Sequence, residues 1–181
     1  MANYAPSTRA RIADLITGMH VKTTDGGLVA AEFTSGAQTS LFTLVGRVGI
    51  KQLFIELTTA ADSAATTVAF NATFTTPSIS LNEIQADCTT IASLQPHQRI
   101  MCTNGVVGTA CVLTDGDGVT DVDAAGRTMI LGGETAAGAN TVGTLGMLAA
   151  AATQAASIAA TAHIYYIPMS EGAYIEGIAG V

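Results

Sequence analysis

The carboxylates that stand close enough to act together are Asp115, Asp117, Asp121 and Asp123, in the run DGDGVTDVD. Calcium takes six to eight hard oxygen ligands, and a glycine-rich loop of alternating aspartates can wrap one. The EF-hand pattern fails here, because Val119 takes the third ligand position and no glutamate closes the loop. The run reads as an acidic turn, with calcium binding at these four aspartates as the alternative. His20, His97 and His163 lie far apart in the chain, outside any HExxH helix and beside no candidate nucleophile. There is no GxSxG, P-loop, GxGxxG or framed pair of glutamates. The sequence therefore predicts a protein that is not an enzyme and needs no cofactor.

Cys88, Cys102 and Cys111 are odd in number and show neither CxxC nor zinc spacing. They read as buried thiols acting as small hydrophobes. Tyr165 and Tyr166 are adjacent, so in a strand they point to opposite faces. With no tryptophan and 5% aromatics, a stacking platform for sugars is poorly supplied.

The 181 residues suffice for one domain with a real core, or one domain with an arm. Hydrophobic residues make up 49% and charged residues only 12%. Charge this sparse points either to a Thr-, Ser- and Asn-rich β surface or to a surface covered by copies of itself or a partner. A net charge of −7 with only seven basic residues argues against nucleic acid. Mean hydropathy is +0.43, yet it comes largely from alanine and valine, and no apolar run approaches the length of a membrane span. The first twenty residues lack the apolar core of a signal peptide, so synthesis and folding in a cytoplasm are expected.

Residues 1–27 differ from the rest. Ser7 can cap a short helix in which Ile12, Leu15, Ile16 and Met19 fall on one face, ending near Gly18. A helix of two or three turns needs something to dock on, either its own body or a neighbouring molecule. TTDGG (23–27) then reads as a hinge, which places an arm at 1–27 and a β-sandwich domain at 28–181.

The body reads as strands and turns. SLFTLVGRVGIKQLFIELTT (40–59) is the longest β-favouring run and is expected to be the central strand. Its alternation slips once. Val48 and Ile50 face one way, but beyond Lys51 the apolar set is Leu53, Ile55 and Leu57. Such a slip marks a β-bulge, or a strand passing from one sheet to another. Leu28 to Phe33 reads as a short strand. In Ala65 to Thr75, Val68, Phe70, Ala72 and Phe74 oppose Thr67, Asn71, Thr73 and Thr75. Weaker strands are expected over 79–84 and 88–94, with a turn at Gln95-Pro96-His97. Asn104-Gly105 carries the type I′ hairpin signature, which pairs 99–103 with 106–112 and sets Cys102 opposite Val107. Arg127 to Leu131 is a further strand. Across the alanine-rich 132–162 the expectation is strand, surface loop, strand, with a helical turn as the alternative. A turn and a terminal strand end the chain. The fold class is all-β, an antiparallel sandwich or jelly-roll-like body with a short N-terminal helix or arm.

Two segments together, GRVGIKQLFIELTTA (46–60) and AHIYYIPMSEGAYIEGI (162–178), resemble small virion proteins of tailed bacteriophages, of the head decoration or cement type. The alanine-rich 149–162 departs from that pattern. The resemblance implies a sandwich seated on the capsid lattice, often as a trimer, that clamps neighbouring copies of the major capsid protein. Its site would then be a docking surface, with Ile12, Leu15, Ile16 and Met19 as candidate contacts. A phage tail or fibre component shares every one of these features, and a calcium-dependent binding module rests on the four aspartates.

Overall fold

A computed structural model describes residues 18–23, 27–75, 78–88, 90–102, 112–114, 128–135, 137–154 and 157–178. The protein is an antiparallel β-sandwich with twelve strands among these residues. The first sheet runs β1 (Met19–Lys22), β11 (Ala159–Pro168), β4 (Val48–Thr59), β7 (Arg99–Cys102), β8 (Val112–Thr114); β2 (Leu28–Val29) also pairs with β11, and β9 (Met129–Leu131) with β4. The second runs β12 (Tyr174–Gly177), β3 (Gln38–Val45), β10 (Val142–Ala150), β5 (Thr67–Thr75), β6 (Ser78–Gln85).

The slip at Lys51 is a bulge. Tyr165 pairs with Gln52 and Tyr166 with Ile50, so the register along β11 steps over Lys51. The extra residue lets Val48 and Ile50 share the core face with Leu53, Ile55 and Leu57, all fully buried. The run 40–59 is nevertheless two strands, and the chain leaves one sheet for the other at Gly46-Arg47. Gly46 has φ +73, and a Cβ there would lie within 3 Å of Asn140, Ser170 and Ala173. Only glycine fits this corner.

The face of β5 that carries Val68, Phe70, Ala72 and Phe74 meets β4 and β11 across the sandwich, with Phe33, Phe42, Met147 and Tyr166 filling the centre. Each such side chain contributes about 1.5–3 kcal/mol on burial. Tyr166 is buried and Tyr165 faces outward, as adjacent strand residues must.

Several expectations change. Leu28–Val29 is a strand, but Ala30–Phe33 forms a 3₁₀ turn that drives Phe33 into the core. The described residues of 88–94 form no strand; they are irregular and anchored by buried Cys88 and Ile91. Met19 lies in β1 and not on a helix, and residues 18–23, read with the arm, join the first sheet through β11. Its ladder with Tyr166 gives the backbone partners that a short isolated helix lacks. Strand β7 pairs as expected with the strand that follows it, but Met101 meets Val112, where a two-residue Asn-Gly loop would set it against Gly108. That turn, and with it the Cys102–Val107 pairing, lies outside the described residues. In the alanine-rich region β10 runs to Ala150 and β11 begins at Ala159, so the order strand, loop, strand holds.

Candidate functional site

The outward faces of the two sheets differ in kind. On the second sheet β3 presents Gln38, Ser40, Thr43 and Val45, β10 presents Val142, Thr144 and Leu148, and β5 presents Thr73 and Thr75. Strand β12 adds Tyr174 and Glu176. Leaving aside β6, whose outward side chains are not described, Glu176 is the one charged residue among the described residues of this face. Threonine supplies polarity on a flat β surface without the hydration cost of a charge. Asn71 lies on this face yet is buried, because its carboxamide lies across Gly146; a Cβ at Gly146 would meet Asn71 Oδ1 at 2.6 Å.

The first sheet carries rings and charges instead, in a row across four strands. His20 on β1 stacks on Tyr165 at 4.4 Å between centroids, and Phe54 on β4 stacks on His163 at 4.9 Å. The Arg99 guanidinium sits 4.9 Å over the Phe54 ring and donates to Glu56 Oε2 at 3.0 Å. On the other side of Glu56, His97 Nδ1 lies 3.4 Å from Oε1. Burial raises the Glu56 carboxyl, but its bonds to Arg99 and His97 and the Arg99 charge outweigh that and hold it below the usual range.

His20 Nε2 and His163 Nδ1 are 3.1 Å apart. Their planes differ by 4° and their centroids are 5.4 Å apart, which is the N···N distance plus one ring radius on each side. The rings therefore lie edge to edge in nearly one plane, with one N–H aimed at the other ring's lone pair. Burial, then the His20 charge, with smaller parts from Lys22 and Arg99, keeps the His163 pKa low against an opposing pull from Glu56. The one lone pair between the two facing nitrogens is taken up by that N–H, so the contact does not converge on a cation.

At the sandwich end marked by the Gly46-Arg47 crossing, a depression of about 350 Å³ is lined by Arg47, Ile130, Gly132, Gly133, Glu134, Met169 and Ser170. The Arg47 N–H donates to Ser170 Oγ, which donates on to Asn140 Oδ1. Ile130 and Met169 are each 48% exposed here, and Val142 and Tyr174 are exposed at the same end of the second sheet. Four of the six exposed large hydrophobic side chains among the described residues thus gather around this end, while Val29 lies at the far end of β11.

Of the residues singled out in the sequence, Asp115, Asp117, Asp121 and Asp123 lie outside the described residues, as do Ile12, Leu15, Ile16 and Cys111. Met19 is 44% exposed at the start of β1. Cys88 and Cys102 are buried, as small hydrophobes would be. Among the described residues no group of three His, Cys, Asp or Glu side chains could hold a metal ion. The sheet brings together His20 and His163, which are 143 positions apart, and sequence spacing carried no signal of it. No family model matches this chain, and no curated protein or solved structure matches it.

Proposed function

We propose that this protein is a virion structural subunit that decorates and stabilises a bacteriophage capsid by bridging neighbouring capsid subunits, acting without catalysis and assembling with copies of itself, as a trimer. The observation that carries the reading is the nearly uncharged outer face that the described residues of β12, β3, β10 and β5 form on the second sheet, which continues into the apolar end around Val142, Tyr174, Ile130 and Met169. A flat surface poor in charge loses little hydration when a second surface covers it. Repeated on a lattice, modest contacts of this kind sum to strong retention by avidity. The sequence of residues 1–17, with its Ile12, Leu15 and Ile16 stripe, supports an anchoring arm.

The mass of the purified protein in solution tests self-association first. A trimer is expected, and a monomer that persists at high concentration overturns the covered-surface argument. Labelled particles then test the location: head labelling supports decoration, whereas label confined to the tail selects the tail or fibre reading.

A further inference from the structure

Strand β1 is held by little. It has four residues, sits at the edge of its sheet, and is secured on β11 by its ladder, by Thr23 N–H donating to Ala162 O at 3.0 Å and by Ala162 N–H donating to Thr23 Oγ1 at 3.2 Å. Val21 packs against the core, and Gly177 of β12 lies against the Lys22 carbonyl. Among the described residues, the side-chain hydrogen bond that ties its outward face to β11 is His20 to His163.

That bond depends on protonation. With both rings neutral, one donates and the other accepts. One added proton is shared as an imidazolium–imidazole pair and keeps the bond. A second proton leaves two N–H groups facing each other at 3.1 Å with no acceptor between them. Lys22 stands across from His163 on β1, and Arg99 adds a second cation from β7. The Tyr165 ring on β11 stacks on His20 from the same sheet face. Glu56 of β4 is the carboxylate that opposes this charge, and it is already engaged by Arg99 and His97. Strand β12, which also touches β1, carries the exposed Glu176.

We propose that β1 is an acid-released strap: double protonation of His20 and His163 detaches Met19–Lys22 from β11 while the rest of the sandwich stays folded. The burial and nearby cations that keep His163 low fix the sense of the effect. Docking is complete above the ordinary histidine range of about 6.5 and is lost as pH falls through the lowered value. Release would expose the β11 edge from His163 to Tyr166, a row of unpaired backbone groups able to accept another strand. The device stands independently of the virion reading.

Amide hydrogen exchange by NMR, corrected for the intrinsic rate at each pH, tests it in the full-length protein. Between about pH 7.5 and pH 5, protection at Val21 and Thr23 is expected to fall about tenfold or more, while β10 amides keep theirs. In H20Q and H163Q, which keep a hydrogen-bonding side chain that does not titrate in this range, the fall should vanish. The His163 ring protons in the unaltered protein should titrate below the ordinary histidine range. No fall, an equal fall in β10, a fall that survives both substitutions, or a His163 titration at the ordinary histidine pKa would each overturn the strap.

Discussion

The Gln154 carboxamide donates to the Thr66 hydroxyl at 3.0 Å, joining a loop between the two sheets to the approach of β5. Gln154 is 3% exposed and also donates to Ala64 O at 2.9 Å while accepting from the Asp62 N–H at 2.8 Å. Thr66 in turn donates to Ala152 O. One buried amide thus closes three polar groups, and it does so in the alanine-rich region where the sequence offers few anchors.

Gln154→Ala should therefore cost about 2–4 kcal/mol, because it strands an N–H, a carbonyl and a hydroxyl as well as opening space. Urea denaturation of the two proteins measures it. A loss within experimental error of zero would mean that solvent enters and satisfies the loop.

Thr67 presents the opposite case, since its Oγ1 is buried without a hydrogen-bond partner. Thr67→Val replaces that hydroxyl by a methyl of similar shape, at a β-branched position that keeps its strand preference. Stability should rise by up to about 1 kcal/mol. A destabilised variant would show that the hydroxyl is satisfied after all.

Glu56 is an acid whose folded pKa is depressed, so it contributes stability that is present above its unfolded value of about 4.3 and lost as pH falls through the folded one. Unfolding midpoints compared at neutral pH and near pH 3 should bring wild type and Glu56→Gln closer together in acid. Since the Arg99–Glu56 pair is about a quarter exposed, the neutral-pH difference should stay near 1 kcal/mol or below. A gap that widens in acid would contradict the assignment.

Burial raises the Cys88 thiol and pushes Cys102 up to about 12, so neither supplies much thiolate at neutral pH. In a Cys111→Ser background, native protein should be inert to a disulfide reagent, and both thiols should react only as fast as the protein unfolds. Rapid labelling without denaturant would place one of them at an accessible surface.

Alternation alone made much of the sandwich legible. Phe70 and Phe74 against Thr73 and Thr75 fixed the faces of β5, and the slip at Lys51 located a bulge, because a period of two carries over directly into which side chains are buried. The crossing at Gly46-Arg47 was hidden inside the same run, since both sheets want the same β-favouring residues on either side of it. Phe33 likewise sits in a strand-like stretch yet is delivered by a 3₁₀ turn, a matter of where the neighbouring chain leaves room.

Alternation and composition determined that this polypeptide is built of strands, is poor in charge and holds Cys88 and Cys102 inside. Only the tertiary structure decided how that sparse charge is shared out among the described residues: rings, cations and Glu56 on one sheet, threonine and apolar side chains with Glu176 on the other. The reason is that strand order is set by long-range pairing. The neighbours that bring His20 to His163, or Gln154 to Thr66, are contributed by residues far apart in the chain, which no local pattern relates.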